Sequence, residues 1–142
     1  MSYLRFDGIG YDVALFDDED NEHVRTLAGP PVSISTATTT TVLTSGVLAD
    51  GVYLAEATFA VSNDTDDEGA LYIRRAAFKV VSGTITQIGA TTDVATFEDA
   101  GQGGLEAVID STSGTIRARF TTDAADTVIV NPTMRIWTQV LT

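Results

Sequence analysis

The stretch FDDEDNEH, Phe16 to His23, sets five carboxylates beside the only histidine of the chain. Imidazole and carboxylate are donors for zinc and partners for acid–base catalysis. Zinc would need His23 and two or three well-spaced carboxylates. Calcium would accept an acidic loop, but its hand-type loop also carries a mid-loop glycine and a closing glutamate. Asp17, Asp18, Glu19, Asp20 and Glu22 meet neither pattern. Adjacent like charges repel, so the stretch reads first as a solvated turn that keeps a sheet edge from pairing. Weak calcium binding is the second reading and catalysis the third. SNDTDDEG, residues 62–69, carries the same readings. Asn63-Asp64-Thr65 also matches a glycosylation acceptor pattern, idle in a chain without a signal peptide.

Other chemistry has less to stand on. A nucleophile needs an adjacent base, and the one histidine lies in a charged stretch with no G-x-S-x-G elbow elsewhere. Gly101, Gly103 and Gly104 precede a strand-like run rather than a helix, so they read as a hairpin turn and not as a dinucleotide site. We therefore assign no catalytic, metal or cofactor residue. The remaining candidates are contact residues. Trp137 is either core or an interface anchor, since tryptophan and arginine are enriched at binding hot spots. Arg117 and Arg119 are either a solvated face or part of an interface.

Composition narrows the partners. The net charge is −12, from 8 basic and 20 acidic residues. Such a chain repels phosphate, which excludes a general nucleic-acid binder and disfavours anionic membranes. Lys79 is the one lysine and the other cations are arginines, which suit forked or partly buried contacts. There are no cysteines, which fits assembly in a reducing cytoplasm. No apolar run approaches the roughly 18 residues of a membrane span, and MSYLRFDGIGYD lacks the form of a signal peptide. The 142 residues are expected to form one domain.

Those residues must be positioned by strands. Thr, Val, Ile and Ala dominate short runs punctuated by Gly, Asp, Asn and Ser. TIRARFTT alternates strictly, with Ile116, Ala118 and Phe120 on one face and Arg117, Arg119 and Thr121 on the other. Ser113-Gly114 supplies the turn before it, and LEAVID places Leu105, Ala107 and Ile109 together. YLAEATFAV places Tyr53, Ala55, Ala57, Phe59 and Val61 on one face. ALYIRRAAFKVV is apolar on both faces, and its neighbours Arg74 and Arg75 must face opposite ways. SGTITQIG and TDVATFED continue the series. Asn131-Pro132 is expected to start the closing strand TMRIWTQVL, because proline cannot donate to a ladder. The fold class is all-β: an antiparallel, jelly-roll-like sandwich over residues 46–142. Residues 1–45 form an extended N-terminal segment that packs on the sandwich or on a partner.

From Ala55 to Val140 this order of features resembles a β-sandwich domain of tailed-bacteriophage virion proteins. The resemblance runs through AEATFAV, a polar hairpin, ALYIRRAAFKVVSGTITQIG, an acidic turn, LEAVIDSTSGTIRARFTT and the closing RIWTQV with Arg135 and Trp137. DAADTVIVNPTMRIW departs from it, because the family usually has a shorter glycine-containing turn there. The resemblance implies a jelly-roll-like fold, frequent homotrimers and a place on the virion. With so small a chain, it favours a capsid decoration (cement) protein on the capsid exterior, bound to the major capsid protein. Tyr3, Leu4, Phe6, Ile9 and Tyr11 would grip a neighbouring subunit, and Arg117, Arg119, Arg135 and Trp137 are the other expected contacts. The first alternative is a tail or fibre component that meets host glycans through exposed aromatics such as Tyr53 or Tyr72. The second is a carbohydrate-binding jelly-roll module.

Overall fold

The computed structural model describes the backbone of residues 3–6, 11–16, 22–100, 105–123 and 125–140, and the side chains of residues 24–100, 105–123 and 125–139. Strands in chain order are β1 (Tyr3–Phe6), β2 (Tyr11–Phe16), β3 (Glu22–Ala28), β4 (Val32–Ile34), β5 (Thr40–Thr44) and β6 (Gly51–Asn63). They continue with β7 (Glu68–Val81), β8 (Thr84–Glu98), β9 (Glu106–Thr112), β10 (Thr115–Thr121) and β11 (Val128–Val140). No helix occurs among the described residues. The strands build a large sheet in the order β1-β2-β3-β11-β6-β7-β8, with β4 beside β11, and a small sheet in the order β5-β10-β9. All pairings are antiparallel.

The two sheets face each other as the alternation predicts. Tyr53, Ala55, Ala57, Phe59 and Val61 of β6 point inward and are buried. Ile116, Ala118 and Phe120 of β10 face them from the small sheet, each fully buried. Phe120 joins the layers, its ring 6.0 Å from Phe59 and 5.8 Å from Tyr72, within the range of favourable tilted aromatic pairs. Within the 1–45 segment, β3 and β4 pair with β11 and β5 pairs with β10. Leu27, Ile34 and Val42 from these strands lie in the core.

Turn chemistry sets the hairpins. Ser82-Gly83 joins β7 to β8 and Ser113-Gly114 joins β9 to β10, all four at positive φ. That is the two-residue turn whose twist matches the flanking strands. The Asp50 carboxylate accepts the exposed Ser82 and Gly83 N–H groups at 2.8 and 3.0 Å.

The structure corrects two strand readings. SGTITQIG and TDVATFED are one strand, β8, with bulges where Arg75 and Ala77 oppose Thr92 and Ile88, and between Ile73 and Arg74. Gly89, at φ +74°, makes the first of these deviations sterically open. Pro132 does not start β11. It is embedded in it, opposite Phe59. Its carbonyl accepts from Gly29 N at 3.5 Å, so its nitrogen faces the same side. On that side β4 pairing ends at Val130 and β3 pairing begins at Thr133. The missing donor therefore falls in a gap of the ladder, across from Pro30 and Pro31, and costs no hydrogen bond.

Arg74 is the inward member of the arginine pair and is 6% exposed. Its Nε donates to the Ala107 carbonyl of β9 at 3.2 Å and lies 2.9 Å from Asp93 Oδ1 of β8. Its NH1 donates to Ala95 O at 2.9 Å. Thr91 Oγ1 donates to Ile109 O at 2.9 Å. Together these side chains cap alternate carbonyls along the outer edge of β9 and join it to β8. We expect Arg74→Met to lose about 3 kcal/mol in urea unfolding, because each buried acceptor left unpaired costs about 1–3 kcal/mol. Asp93→Asn should cost under about 1 kcal/mol, since its carboxylate is 73% exposed and water screens the pair. Equal losses would place the stabilisation in the ion pair instead.

Candidate functional site

Alternation that buries one face of β6, β7 and β11 turns their other residues outward. The registers line these residues up in rows across the large sheet. Trp137 pairs with Leu54, Leu54 with Ala77 and Ala77 with Ile88. On the other side Trp137 pairs with Val24 of β3. This is an apolar row across five strands on the outside of the molecule. Leu54 is 39% and Ile88 46% exposed. The next row is charged: Arg135 pairs with Glu56, Glu56 with Arg75, and Arg75 with Thr92.

Arg75 Nε donates to Glu56 Oε2 at 2.6 Å. The Arg135 guanidinium sits 5.7 Å from the centre of the Trp137 ring, in cation–π range. Lys79 lies on the other side of the apolar row, opposite Val52. The described outward positions of β6, β7, β8 and β11 thus hold three cations and one carboxylate. Where β8 bulges, a groove of about 400 Å³ opens, lined by Leu54, Arg75, Ala77, Ile88 and Val94 among others. Exposed apolar surface in contiguous rows marks a binding face more often than scattered residues do.

The expected contact residues do not form one site. Arg135 and Trp137 belong to this large-sheet face. Arg117 and Arg119 lie on the opposite outer face, on the small sheet. There Arg117 holds Asp110 with two bonds, 2.7 and 2.9 Å, and Arg119 reaches the same carboxylate at 3.2 Å and Thr39 O at 3.1 Å. These bonds tie β9, β10 and the segment before β5 together. Tyr3, Leu4 and Phe6 fall in β1 and Tyr11 in β2, a hairpin that pairs through β2 with β3. Ile9 lies outside the described residues, as do residues 17–21 of the opening acidic stretch and residues 101–104 of the glycine-rich turn.

Tyr53 and Tyr72, the aromatics expected to meet glycans, are 3% and 1% exposed. The correction follows from strand phase: both occupy inward positions. Tyr72 donates to Glu98 Oε1 at 2.6 Å. Burial, then the hydrogen bond and charge of Glu98, holds its phenol far above the usual range, with Arg74 opposing. Asn63 of the acceptor pattern is 1% exposed, and its amide donates to Asp126 Oδ2 at 3.0 Å. It docks the β6–β7 loop against Asp126, and Asp64 and Thr65 bond Thr127 beside it. Among the described residues no three His, Cys, Asp or Glu side chains converge to hold a metal ion.

Sequence reasoning missed Leu54, Glu56, Ala77 and Ile88 as a face. The available signal was apolar residues at outward positions of strands whose inward positions were already filled.

No family model matches the chain, and no curated protein matches it. Two solved structures of phage tailspikes match the chain. One is the Acinetobacter baumannii phage AM24 tailspike, 8% identical, with a TM-score of 0.47 over 82% of this chain and 26% of that one. The other is the Acinetobacter phage vB_ApiP_P1 tailspike, 15% identical, with a TM-score of 0.27 over 82% of this chain and 21% of that one. The chain thus spans about a quarter of the length of these tailspikes.

The β6–β7 loop gives a test of its own electrostatics. Desolvation in the crowded loop, then the charges of Asp126 and Glu68, a hydrogen bond with Asp126 and the charge of Asp67, raise the Asp66 carboxyl above its ordinary value. The fold therefore favours the protonated form. That contribution is full below the unfolded carboxylate pKa of about 4 and is lost as pH rises through the higher folded value. Asp66→Asn should raise Tm at pH 7 and leave it unchanged at pH 3, by calorimetry at low salt. A lower Tm at pH 7 would show that the ionised group is needed there.

Proposed function

We propose that this chain is a structural component of a tailed-phage virion that acts by holding neighbouring proteins, without catalysis. The observation that carries the proposal is the outward apolar row Trp137–Leu54–Ala77–Ile88 beside the Arg135–Glu56–Arg75 row. A sheet face of this kind fits protein contact: an apolar centre with arginine and tryptophan, the residues enriched at hot spots. The virion itself comes from the sequence resemblance over residues 55–140.

Within the virion the place is either the head, as a decoration protein on the major capsid protein, or the tail, as a fibre component. Homotrimers fit both. In the head reading, binding the assembled shell and not its free subunits stabilises the shell by mass action. In the tail reading, burial of Tyr53 and Tyr72 moves any host contact to other residues. The N-terminal residues Tyr3, Leu4, Phe6, Ile9 and Tyr11 stay proposed contacts in either place.

Quantitative mass spectrometry of purified particles, and of separated heads and tails, tests this. We expect the chain in particles, at a copy number matching the capsid lattice for the head or a few copies for the tail. A chromogenic glycoside panel should be blank. Absence from particles, or turnover of any substrate, would overturn the proposal.

A further inference from the structure

The acidic residues are not spread evenly. Asp64, Asp66, Asp67 and Glu68 of the β6–β7 loop lie at one end of the sandwich. Asp123 and Asp126 join them, tied in by the Asn63–Asp126 bond. Glu98 and Asp99 at the end of β8 complete the set, Asp99 accepting from Gly69 N at 2.8 Å. Eight of the chain's 20 carboxylates therefore gather there. Phe97 adjoins Glu98 and Asp99, paired with Leu71 on the outer face and 63% exposed. Further along the same outer face the character reverses: Arg75 lines the apolar groove, and Arg135 and Lys79 stand in the rows on either side of Leu54 and Ala77.

One chain thus carries an exposed aromatic beside Glu98 and Asp99 at its acidic end and, further along the sheet, an apolar groove lined by Arg75. We propose that the groove face binds the acidic end of a second copy of the chain, with Phe97 entering beside Arg75, Ile88 and Leu54. This rests on the reading of the face as a protein-contact surface. Charge complementarity selects this occupant. Two groove faces set against each other would oppose three cations with three cations, and two acidic ends would repel more strongly. Because both surfaces lie on one sheet face, two copies can make the contact reciprocally about a two-fold axis, or a heterologous series of contacts can close into a ring. The bulges of β8 are what make the receiving surface, because an unbulged strand would leave no groove beside Ala77.

Sedimentation velocity on the purified chain tests the inference. Wild type should self-associate, more weakly as salt rises. Ile88→Glu removes the groove and Phe97→Ser removes the inserted side chain, and each alone should weaken association at least tenfold. Mixed one to one, they should form a dimer and nothing larger, since each variant keeps the surface the other lacks. Both positions are exposed, and circular dichroism checks that the variants stay folded. Should Ile88→Glu unfold, Arg75→Glu takes its place. A wild-type chain monomeric at about 100 µM, a hundred times a micromolar Kd, would overturn the inference. So would variants that assemble like wild type, or a mixture that stays monomeric. Absence from phage particles would overturn the virion assignment and leave this contact standing.

Discussion

Two sheets of unequal size must be sealed along one side, and Arg74 does this. The small sheet ends at β9, whose outer edge presents carbonyls with no strand to donate to them. A buried carbonyl without a donor is costly. Arg74 reaches from the interior of β7 to Ala107 O, and Thr91 reaches from β8 to Ile109 O. An arginine can do this because its guanidinium offers several donors in a fixed fork, shared here among Ala107, Ala95 and Asp93. The guanidinium meanwhile lies over the Tyr72 ring, its carbon 5.1 Å from the ring centre. The charge is not left bare, since Asp93 supplies a counter-charge at the solvent boundary. The bulges of β8 follow from the same demand, because a regularly paired β8 would run straight past β9.

Much of this was legible from residue order. Strict alternation in TIRARFTT and YLAEATFAV gave the buried faces of β10 and β6, because a period of two admits one inward phase once glycine and serine mark the ends. Adjacent Arg74 and Arg75 had to point to opposite sides, and one is buried while the other is open. What stayed hidden depended on neighbours distant in sequence. Pro132 looked like a strand start because proline lacks a donor, and whether that matters is decided by what lies across the ladder. The answer sits about a hundred residues away, at Gly29-Pro30-Pro31. Likewise β8 looked like two strands because Gly89 reads as a turn, and only pairing with β7 shows it to be a bulge.

The contact residues show the same division. Trp137 and Arg135 were found by type, and their register with Leu54 and Glu56 was not, since a strand's partner cannot be read from its own letters. Arg117 and Arg119 were found by phase but have a closer claim on them: Asp110 holds both, in a geometry that fixes β10 to β9. Forked bonds at 24% and 30% exposure tie strands more than they offer a free cation to a partner. Arg75 is different. At 50% exposure it faces solvent and shares Glu56 only in part, so it keeps charge to spend on a contact.

The sealing of β9 also decides how such a molecule can associate. Unpaired edges invite strand addition, which is hard to limit. Along the β8–β9 side the Ala107, Ile109 and Ala95 carbonyls are already taken by side chains, and the bulges spoil the register a new strand would need. Association there is left to side chains on the sheet face. Leu54, Ala77 and Ile88 stand outside the core, so changing them alters what the face binds while Phe59, Tyr72 and Phe120 hold the sheets together. Partner choice and fold stability are thereby carried by alternate residues of the same strands.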